Sequence, residues 1–400
     1  MNYRQVFAWA SYDLANTAFS ALFVTFFFPF YVKEFLGGTE FHIGLVFGLS
    51  MLFVGFLVPF FGAWSDAVGK RVPFILCFTV LCCAALVAVG YVPLGYALLA
   101  GGIANFFYHA ALTTYNAVLP SIALDKNMGW VSGIGIGLGY LGTLLSLLMA
   151  TILLAKYGWE SQVGAQAVFM GTAVFFLLFA GIMFVFLKEL PSRARLVNPV
   201  SEGVAQIRKT VREVRKHAQL LWFMLTMLLF GDGMNAVIIF LFLYARSVIG
   251  MPVKGFMVVY AVFSLAAMVG AFGAGKAVDR FGAKKTLQFA GVLWMAVIVL
   301  LLYVKNLEMF VVAGSIGGIA LGTVWTAMRP LTVHLSPRKN IGQFFGYMEL
   351  TDKFSGVLGP IVFGYLAAQV NYTAALLSLL AFFGLGMLAL RRVVIAHEHG

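Results

Sequence analysis

The sequence predicts an all-α integral membrane protein: twelve transmembrane helices in two pseudo-symmetric six-helix bundles, with both termini in the cytoplasm. Three observations predict it. The 400 residues are 62% hydrophobic and only 10% charged, with a mean hydropathy of +0.95, whereas soluble domains are about 45–50% apolar and about 25% charged. Apolar runs long enough to cross a bilayer, about 20 residues each, recur along the whole chain. A loop motif that follows the second run returns after the eighth. Within lipid every backbone N–H and C=O must be satisfied internally, and for runs of this length that means helices.

The runs place spans near residues 6–32, 42–64, 73–92, 94–118, 129–155 and 164–187. A second set lies near 219–245, 254–278, 285–304, 308–333, 342–368 and 372–391. The first is too long for a signal-peptide core and only Arg4 precedes it, so it reads as a membrane helix rather than a cleaved leader. The domain reading is an N-terminal bundle over 1–187, a basic cytoplasmic linker over 188–218 and a C-terminal bundle over 219–400. From Ser201 onwards the linker has the pattern of a short basic amphipathic helix lying on membrane lipid, or of a solvated connector.

The formal charge of +12 comes from 27 Lys+Arg against 15 Asp+Glu. The bases are concentrated in alternate loops: with both termini inside, 20 fall on the cytoplasmic side and 5 on the outer side. That is the positive-inside pattern of a cell inner membrane protein, not a nucleic-acid surface. Cys77, Cys82 and Cys83 share one apolar span and read as packing residues, with neither disulfide nor metal spacing. No ATP-binding, catalytic or metal motif occurs, so neither an enzyme nor a cofactor is expected. Gly135-Ile136-Gly137-Leu138-Gly139 lies inside a span with no strand before it.

The repeated loop reads G-x3-D-x2-G followed by bases. Its first copy is Gly62, Asp66, Gly69, Lys70 and Arg71; its second is Gly275, Asp279, Gly282, Lys284 and Lys285, offset by 213 residues. The same offset pairs Lys126-Asn127-Met128-Gly129 with Lys339-Asn340-Ile341-Gly342 and Gly133 with Gly346. Matches at one offset imply a duplicated six-helix unit. Small Gly would let helices approach closely, while Asp and the bases could pair or meet a helix end. Such a loop could latch one conformational state, or it is a tight basic turn.

The duplicated loop, the six-plus-six layout and the basic linker resemble the major facilitator superfamily across the whole chain. Finer motifs resemble one branch, the autophagy-related vacuolar amino-acid effluxers and their bacterial relatives. Ser11-Tyr12-Asp13-Leu14-Ala15-Asn16-Thr17-Ala18 looks like its first-helix signature, Y-D-x-A-N-[ST]-A. Tyr115-Asn116-Ala117-Val118-Leu119-Pro120 looks like its fourth-helix end, and Gly139-Tyr140-Leu141-Gly142 is similar to its fifth helix. Gly231-Asp232-Gly233-Met234-Asn235 resembles its seventh, and Phe344-Phe345-Gly346 through Lys353 to Gly359-Pro360 its eleventh. Ser121 and Asp352 depart from that pattern, standing where an acid and a small residue are usual. The resemblance implies a monomeric secondary active transporter whose halves rock about a central site lined by helices 1 and 7.

An ionisable group inside a span costs about 2.5–3.5 kcal/mol on insertion scales, so each needs a reason. The acids are Asp13, Asp232, Glu349 and Asp352; the bases are Arg329 and Lys353. Asp13 and Asn16 share a helix face, as do Asp232 and Asn235. Helices 1 and 7 correspond between the halves, but the acids match only at offset 219, with a six-residue gap. Either pair binds solute or fixes packing through an interhelical hydrogen bond. Asn105, His109, Thr113 and Asn116 form a stripe on helix 4; His109 would bind solute or sense protons, or is simply hydrogen-bonded. Arg329, with Trp325 one turn before it, faces a helix-11 carboxylate or a solute carboxylate. Glu349 and Lys353 are i and i+4, with Asp352 between; if Lys353 neutralises one acid, the other takes a proton. The proton-coupling set is therefore Asp13, Asp232, Glu349, Asp352 and Lys353. The function this points to is proton-coupled transport of a small organic solute, amino acids first by resemblance. An exporter of lipophilic cations or drugs and a lysolipid transporter are the alternatives.

Overall fold

Apolar runs punctuated by Gly, Pro and single caps dictate long helices joined by short turns. The structure, a computed structural model, describes residues 3–122, 128–188, 217–335 and 341–394. Within those residues all regular structure is helical. Tertiary contacts divide the chain into two compact units, Met1–Ile207 and Arg208–Gly400. The repeat at Lys126 and Lys339, and most of the linker, lie outside the described residues.

The first unit holds α1 (Tyr3–Glu34), α2 (Glu40–Val68), α3 (Val72–Val89), α4 (Leu94–Asn116), a single turn at Leu119–Ile122, α5 (Met128–Tyr157) and α6 (Gln162–Phe186). The second holds α7 (Ala218–Ile249), α8 (Val253–Phe281), α9 (Ala283–Leu302), α10 (Leu307–Leu335), α11 and α12 (Tyr372–Arg392). Ten helices are long and apolar enough to cross a membrane among the described residues. The other two expected spans differ from that simple form. The 23-residue α4 carries a polar stripe, and α11 is two pieces, α11a (Ile341–Phe354) and α11b (Leu358–Gln369). The expectation of one continuous helix over 342–368 is thus corrected. Pro360 has no N–H to offer Gly356 and its ring clashes with that carbonyl, so the helix breaks at 355–357.

The repeat seen in the sequence recurs in backbone conformation. Gly37 and Gly250, one offset of 213 apart, both have positive φ after α1 and α7 (70° and 64°); Gly69 and Gly282 do so after α2 and α8 (74° and 85°). The last Gly of each G-x3-D-x2-G loop is therefore required by a left-handed turn that a Cβ would strain. The close-approach reading of the first Gly is corrected at Gly275, where a Cβ would meet nothing within 4 Å.

Side chains repeat as well. Tyr31 on α1 donates to the Gly90 carbonyl at 2.8 Å, closing the end of α3. Tyr244 on α7, at the same offset, donates to the Leu301 carbonyl near the end of α9. Gln5 donates to the Phe186 carbonyl and accepts from the Lys188 N–H, while Gln219 accepts from the Val394 N–H. In each unit the start of the first helix is thus tied to the end of the last.

The α1 helix is the most enclosed of the ten, with 89% of its apolar window buried; α7 follows with 61%. Elsewhere large apolar side chains face outward, Phe272 and Val185 being 75% and 74% exposed. Such a surface suits acyl chains rather than water. Glycines set the tightest approaches. A Cβ at Gly142 of α5 would collide with the Leu14 backbone of α1, and one at Gly322 of α10 with the Ala267 carbonyl of α8. Interhelical packing in lipid relies on such contacts, because tails offer no hydrophobic drive between helices. A Cβ at Gly137 of α5, by contrast, would meet nothing within 4 Å.

One local feature was not foreseen. Within α1, Phe19–Phe27 is π-helical, between α-helical Tyr3–Ala18 and Phe28–Glu34. The Phe28 N–H reaches back to the Phe23 carbonyl and the Thr25 hydroxyl to the Ser20 carbonyl, both five residues earlier. Its bulky side chains pack tightly: Phe19 stacks on Tyr108 of α4, and Phe23 lies against Phe169 of α6.

Candidate functional site

Three polar centres sit inside apolar helices, one in the first unit and two in the second. In the first, Asp13 of α1 is half-buried. Its Oδ1 accepts from Asn16 Nδ2 at 3.2 Å, and its Oδ2 accepts from the Tyr115 hydroxyl of α4 at 2.9 Å. Gly135 of α5 leaves the space that Oδ2 and the Trp9 ring occupy. Trp9 stacks on Tyr115 with centroids 4.7 Å apart, and Tyr12 also stacks on Tyr115, at 4.8 Å. Tyr12 in turn hydrogen-bonds Thr79 of α3 at 2.8 Å. A carboxylate inside lipid-exposed helices is thereby held by two donors in an aromatic box. Trp9, Tyr12, Thr79 and Tyr115 were missed as site residues. Nothing in sequence spacing brings α1 beside α3 and α4, although Tyr12 and Tyr115 lie inside the motifs that carry the family resemblance.

The helix-4 stripe does not act as one unit. Asn105 is buried and donates to Ser50 of α2 at 2.6 Å, a packing bond. His109 is half-buried with its ring edge-on to Tyr108, and its carbonyl accepts from Thr113. Asn116 is exposed at the helix end.

The second centre is Asp232 of α7, which is 1% exposed. Its Oδ1 accepts the Gly359 N–H at 2.8 Å, and the Val357 and Leu358 N–H groups also face the carboxylate. Its Oδ2 is buried and makes no hydrogen bond of normal geometry. Asn235 donates to the Ser355 carbonyl at 3.4 Å. Gly231 lies against Ser355 and Gly359 against the Asp232 backbone, so α7 and α11 touch main chain to side chain here. The Asp–Asn pair therefore serves the break in α11: Asp232 takes donors at the start of α11b, and Asn235 supplies a donor at the end of α11a. A break inside a membrane is tolerated when neighbours satisfy the freed groups in this way. Ser355 and Gly359 were not anticipated in that role, though Gly359-Pro360 inside an apolar run was a visible breaker signal.

The third centre lies one to two turns earlier on α11a. Lys353 is 2% exposed and its Nζ contacts Glu349 Oε1 at 3.2 Å and Asp352 Oδ2 at 3.0 Å. Both carboxylates keep partial exposure, 36% and 29% of their side chains. One cation between two acids leaves a formal charge of −1. Arg329 and Trp325 of α10 are both exposed, and Pro330 follows inside the helix.

At the loop motifs, Arg71 donates to the Ala117 carbonyl past the end of α4, and Lys284 to the Val393 carbonyl past the end of α12, each at 2.5 Å. Bases at helix C-termini meet the negative end of the dipole. Lys70, Asp279 and Lys285 are exposed; the surroundings of Gly62 and the side chain of Asp66 lie outside what the structure describes. Among the described residues no group of three or more His, Cys, Asp or Glu could hold a metal ion.

These centres, on two units of apolar helices, are the setting for comparison with known proteins. The profile of the family described as "Vacuole effluxer Atg22 like" matches residues 38–399. The chain belongs to that family. An MFS-type transporter, YxiO of Bacillus subtilis, is 23% identical over 97% of this chain and 94% of its own length. The multidrug resistance protein MdtG of Citrobacter koseri is 25% identical over 92% of this chain and 89% of its own. Among solved structures, a point mutant of the nucleoside transporter NupG superposes with a TM-score of 0.77 at 16% identity, covering 98% of this chain and 99% of that one. A bacterial homologue of the human lysosomal transporter Spinster, inward-facing and occupied, gives 0.68 at 14% identity over 98% and 95%. At such identities the structures share the fold. This Atg22-like protein is a multi-pass membrane transporter of the major facilitator type, not an enzyme.

Proposed function

We propose that the protein is a proton-coupled secondary active transporter of a small organic solute, with amino acids the first class to test. The observation that carries this is the cluster on α11a: one buried lysine held by two partly exposed acids. When both acids are ionised the centre carries an excess negative charge in a low-dielectric setting, which a proton or the ammonium of a zwitterion relieves. Competition between the two for one charge would couple their gradients. In this reading Arg329 offers a fixed cation for a solute carboxylate, and Trp325 an apolar contact. Asp13 and Asn16, with His109 and Asn116, supply the polar groups of the first unit, while Asn105, bonded to Ser50, and Asp232 and Asn235, engaged at the break in α11, hold the helices in place. The layout is twelve spans as two bundles, 1–187 and 219–400, joined by the basic linker 188–218, with both termini in the cytoplasm of an inner membrane. The protein acts as a monomer in contact with membrane lipids, by alternating access, and the paired G-x3-D-x2-G loops act as cytoplasmic latches.

The test is thermal stability of the purified protein in detergent against neutral amino acids, lipophilic cations and lysolipids, at acidic and neutral pH. A ligand raises stability in proportion to its occupancy of the folded state. A shift with amino acids that depends on pH, and that is lost in Arg329→Gln, is the expected result. A shift with lipophilic cations alone sinks this reading in favour of drug export, which the acid excess and the name of the MdtG relatives favour as the second reading.

A further inference from the structure

We propose that Asp232 is a positioning residue: from α7 it caps the broken helix 11 across the helix interface and thereby sets where the Glu349–Asp352–Lys353 ions stand. The inference uses the reading that this ion cluster acts in coupling; the capping itself is independent of it.

The reasoning starts from Pro360. It denies Gly356 its helical hydrogen bond, and the resulting break exposes the first amides of α11b with no intrahelical acceptor. In water such amides would be solvated; inside a membrane they need a protein acceptor. Serine, threonine, asparagine or aspartate at the N-cap position is the usual supplier. The residue in that position is Val357, which has no acceptor on its side chain, and no side-chain cap is made. The cap comes instead from Asp232, 127 residues away in sequence, with Oδ1 2.8 Å from the Gly359 nitrogen. A carboxylate at a helix N-terminus also meets the positive end of the helix dipole, which favours the contact further.

The other side of the break is held with equal care. Ser355 donates its hydroxyl to the Asp352 carbonyl at 2.8 Å, and its N–H to the Thr351 carbonyl at 2.9 Å. Its own carbonyl accepts from Asn235. Asp352 and Lys353 are therefore three and two residues from a main-chain group gripped by α7. The spacing D-x2-N on α7 places acceptor and donor one helical turn apart, matching the two sides of the break. Asp232 is almost wholly buried, as a clamp between two helices requires.

The experiment measures hydrogen–deuterium exchange and carboxyl labelling on the full-length purified protein, in the parent, Asp232→Asn and Asp232→Ala. The asparagine keeps an Oδ1 acceptor; the alanine does not. Losing an N-cap acceptor raises local opening by about fivefold or more. Expected in Asp232→Ala is that increase over residues 355–362, with the distal half of α7 unchanged. Labelling of Glu349 and Asp352 by dicyclohexylcarbodiimide, read by peptide mass spectrometry, should change by about threefold or more. Asp232→Asn should match the parent in both. Unchanged exchange in the alanine variant overturns the cap, and faster exchange with unchanged labelling overturns the positioning. If the alanine variant does not fold, Asp232→Ser, whose hydroxyl is too short to reach the Gly359 nitrogen, decides in its place: faster exchange at 355–362 upholds the cap, and parent-like exchange there overturns it. None of these readouts needs a transported solute, so failure here is distinct from failure of the coupling proposal.

Discussion

The helices α1 and α7 occupy corresponding places in the two units and each carries D-x2-N, yet they use it differently. Asp13 reaches sideways to a tyrosine of α4 inside an aromatic box, whereas Asp232 reaches the main chain of a broken helix. The tyrosines that lock each helix to the end of its third neighbour, Tyr31 and Tyr244, match at the ungapped offset of 213. Measured from them, Asp13 lies 18 residues back and Asp232 only 12. Six residues of helix are about 9 Å, so the two acids stand at different depths relative to that lock. Equal motifs on duplicated helices have been put to separate work: one joins an aromatic box, the other repairs a break that α5, the counterpart of α11 in the first unit, does not have.

The largest expected effect tests what the units still share. A valine at Gly142 or at Gly359 forces a side chain into the backbone of Leu14 or of Asp232. Backbone cannot yield as a flexible side chain does, so each change should cost about 3 kcal/mol or more. Loss of the monodisperse peak in size-exclusion chromatography is the readout, and Gly137→Val, in open space, should behave as the parent. A parent-like Gly359→Val would mean that α7 and α11 are not in contact at this point.

A smaller effect belongs to the second unit alone. Lys353→Met leaves two carboxylates without their cation in a buried setting, which should cost about 3 kcal/mol, less where the acids' partial exposure lets water help. The midpoint of thermal unfolding should fall, and adding Asp352→Asn to the same chain should restore part of it. If the double variant is no more stable than the single, the lysine is not balancing that acid.

The smallest belongs to the first unit. Tyr115→Phe removes the hydroxyl that serves Asp13 Oδ2 while keeping both ring stacks, for a cost of about 1 kcal/mol. Tyr12→Phe, which loses only the Thr79 partner, should cost about the same. Unfolding midpoints of the two variants and their double measure whether the box is one network: a double loss equal to the sum of the singles would show that the tyrosines act independently.

How much of this was legible beforehand depends on whether the cause is local. The spans and the duplication follow from composition and from a loop motif whose residues sit close together in the chain, whereas the left-handed turn at its last Gly reads in the sequence only as close packing. The ion cluster on α11a was legible because its members are i and i+4 neighbours. The break is signalled by Gly359-Pro360 but is invisible to hydropathy, which counts proline as a small penalty and ignores its missing N–H. The aromatic box was not legible, since Trp9, Tyr12, Thr79 and Tyr115 meet only through the packing of three helices. Nor was the π segment: Phe19–Phe27 has the composition of any buried helix, and its wider turn is chosen by how those rings fit their neighbours.

That segment gives α1 a mechanical property that α7, α-helical from Ala218 to Ile249, lacks. A π turn stores a surplus residue within an otherwise regular coil, and the surplus can migrate by exchanging one carbonyl partner for the next. Each exchange swivels the chain on one side of it against the other while most of the ladder stays intact. Tyr31 is anchored on the far side and Asp13 stands on the near side. Such an exchange would turn Asp13 about the helix axis while Tyr31 stays hydrogen-bonded to the end of α3, a rotation obtained without breaking the rod.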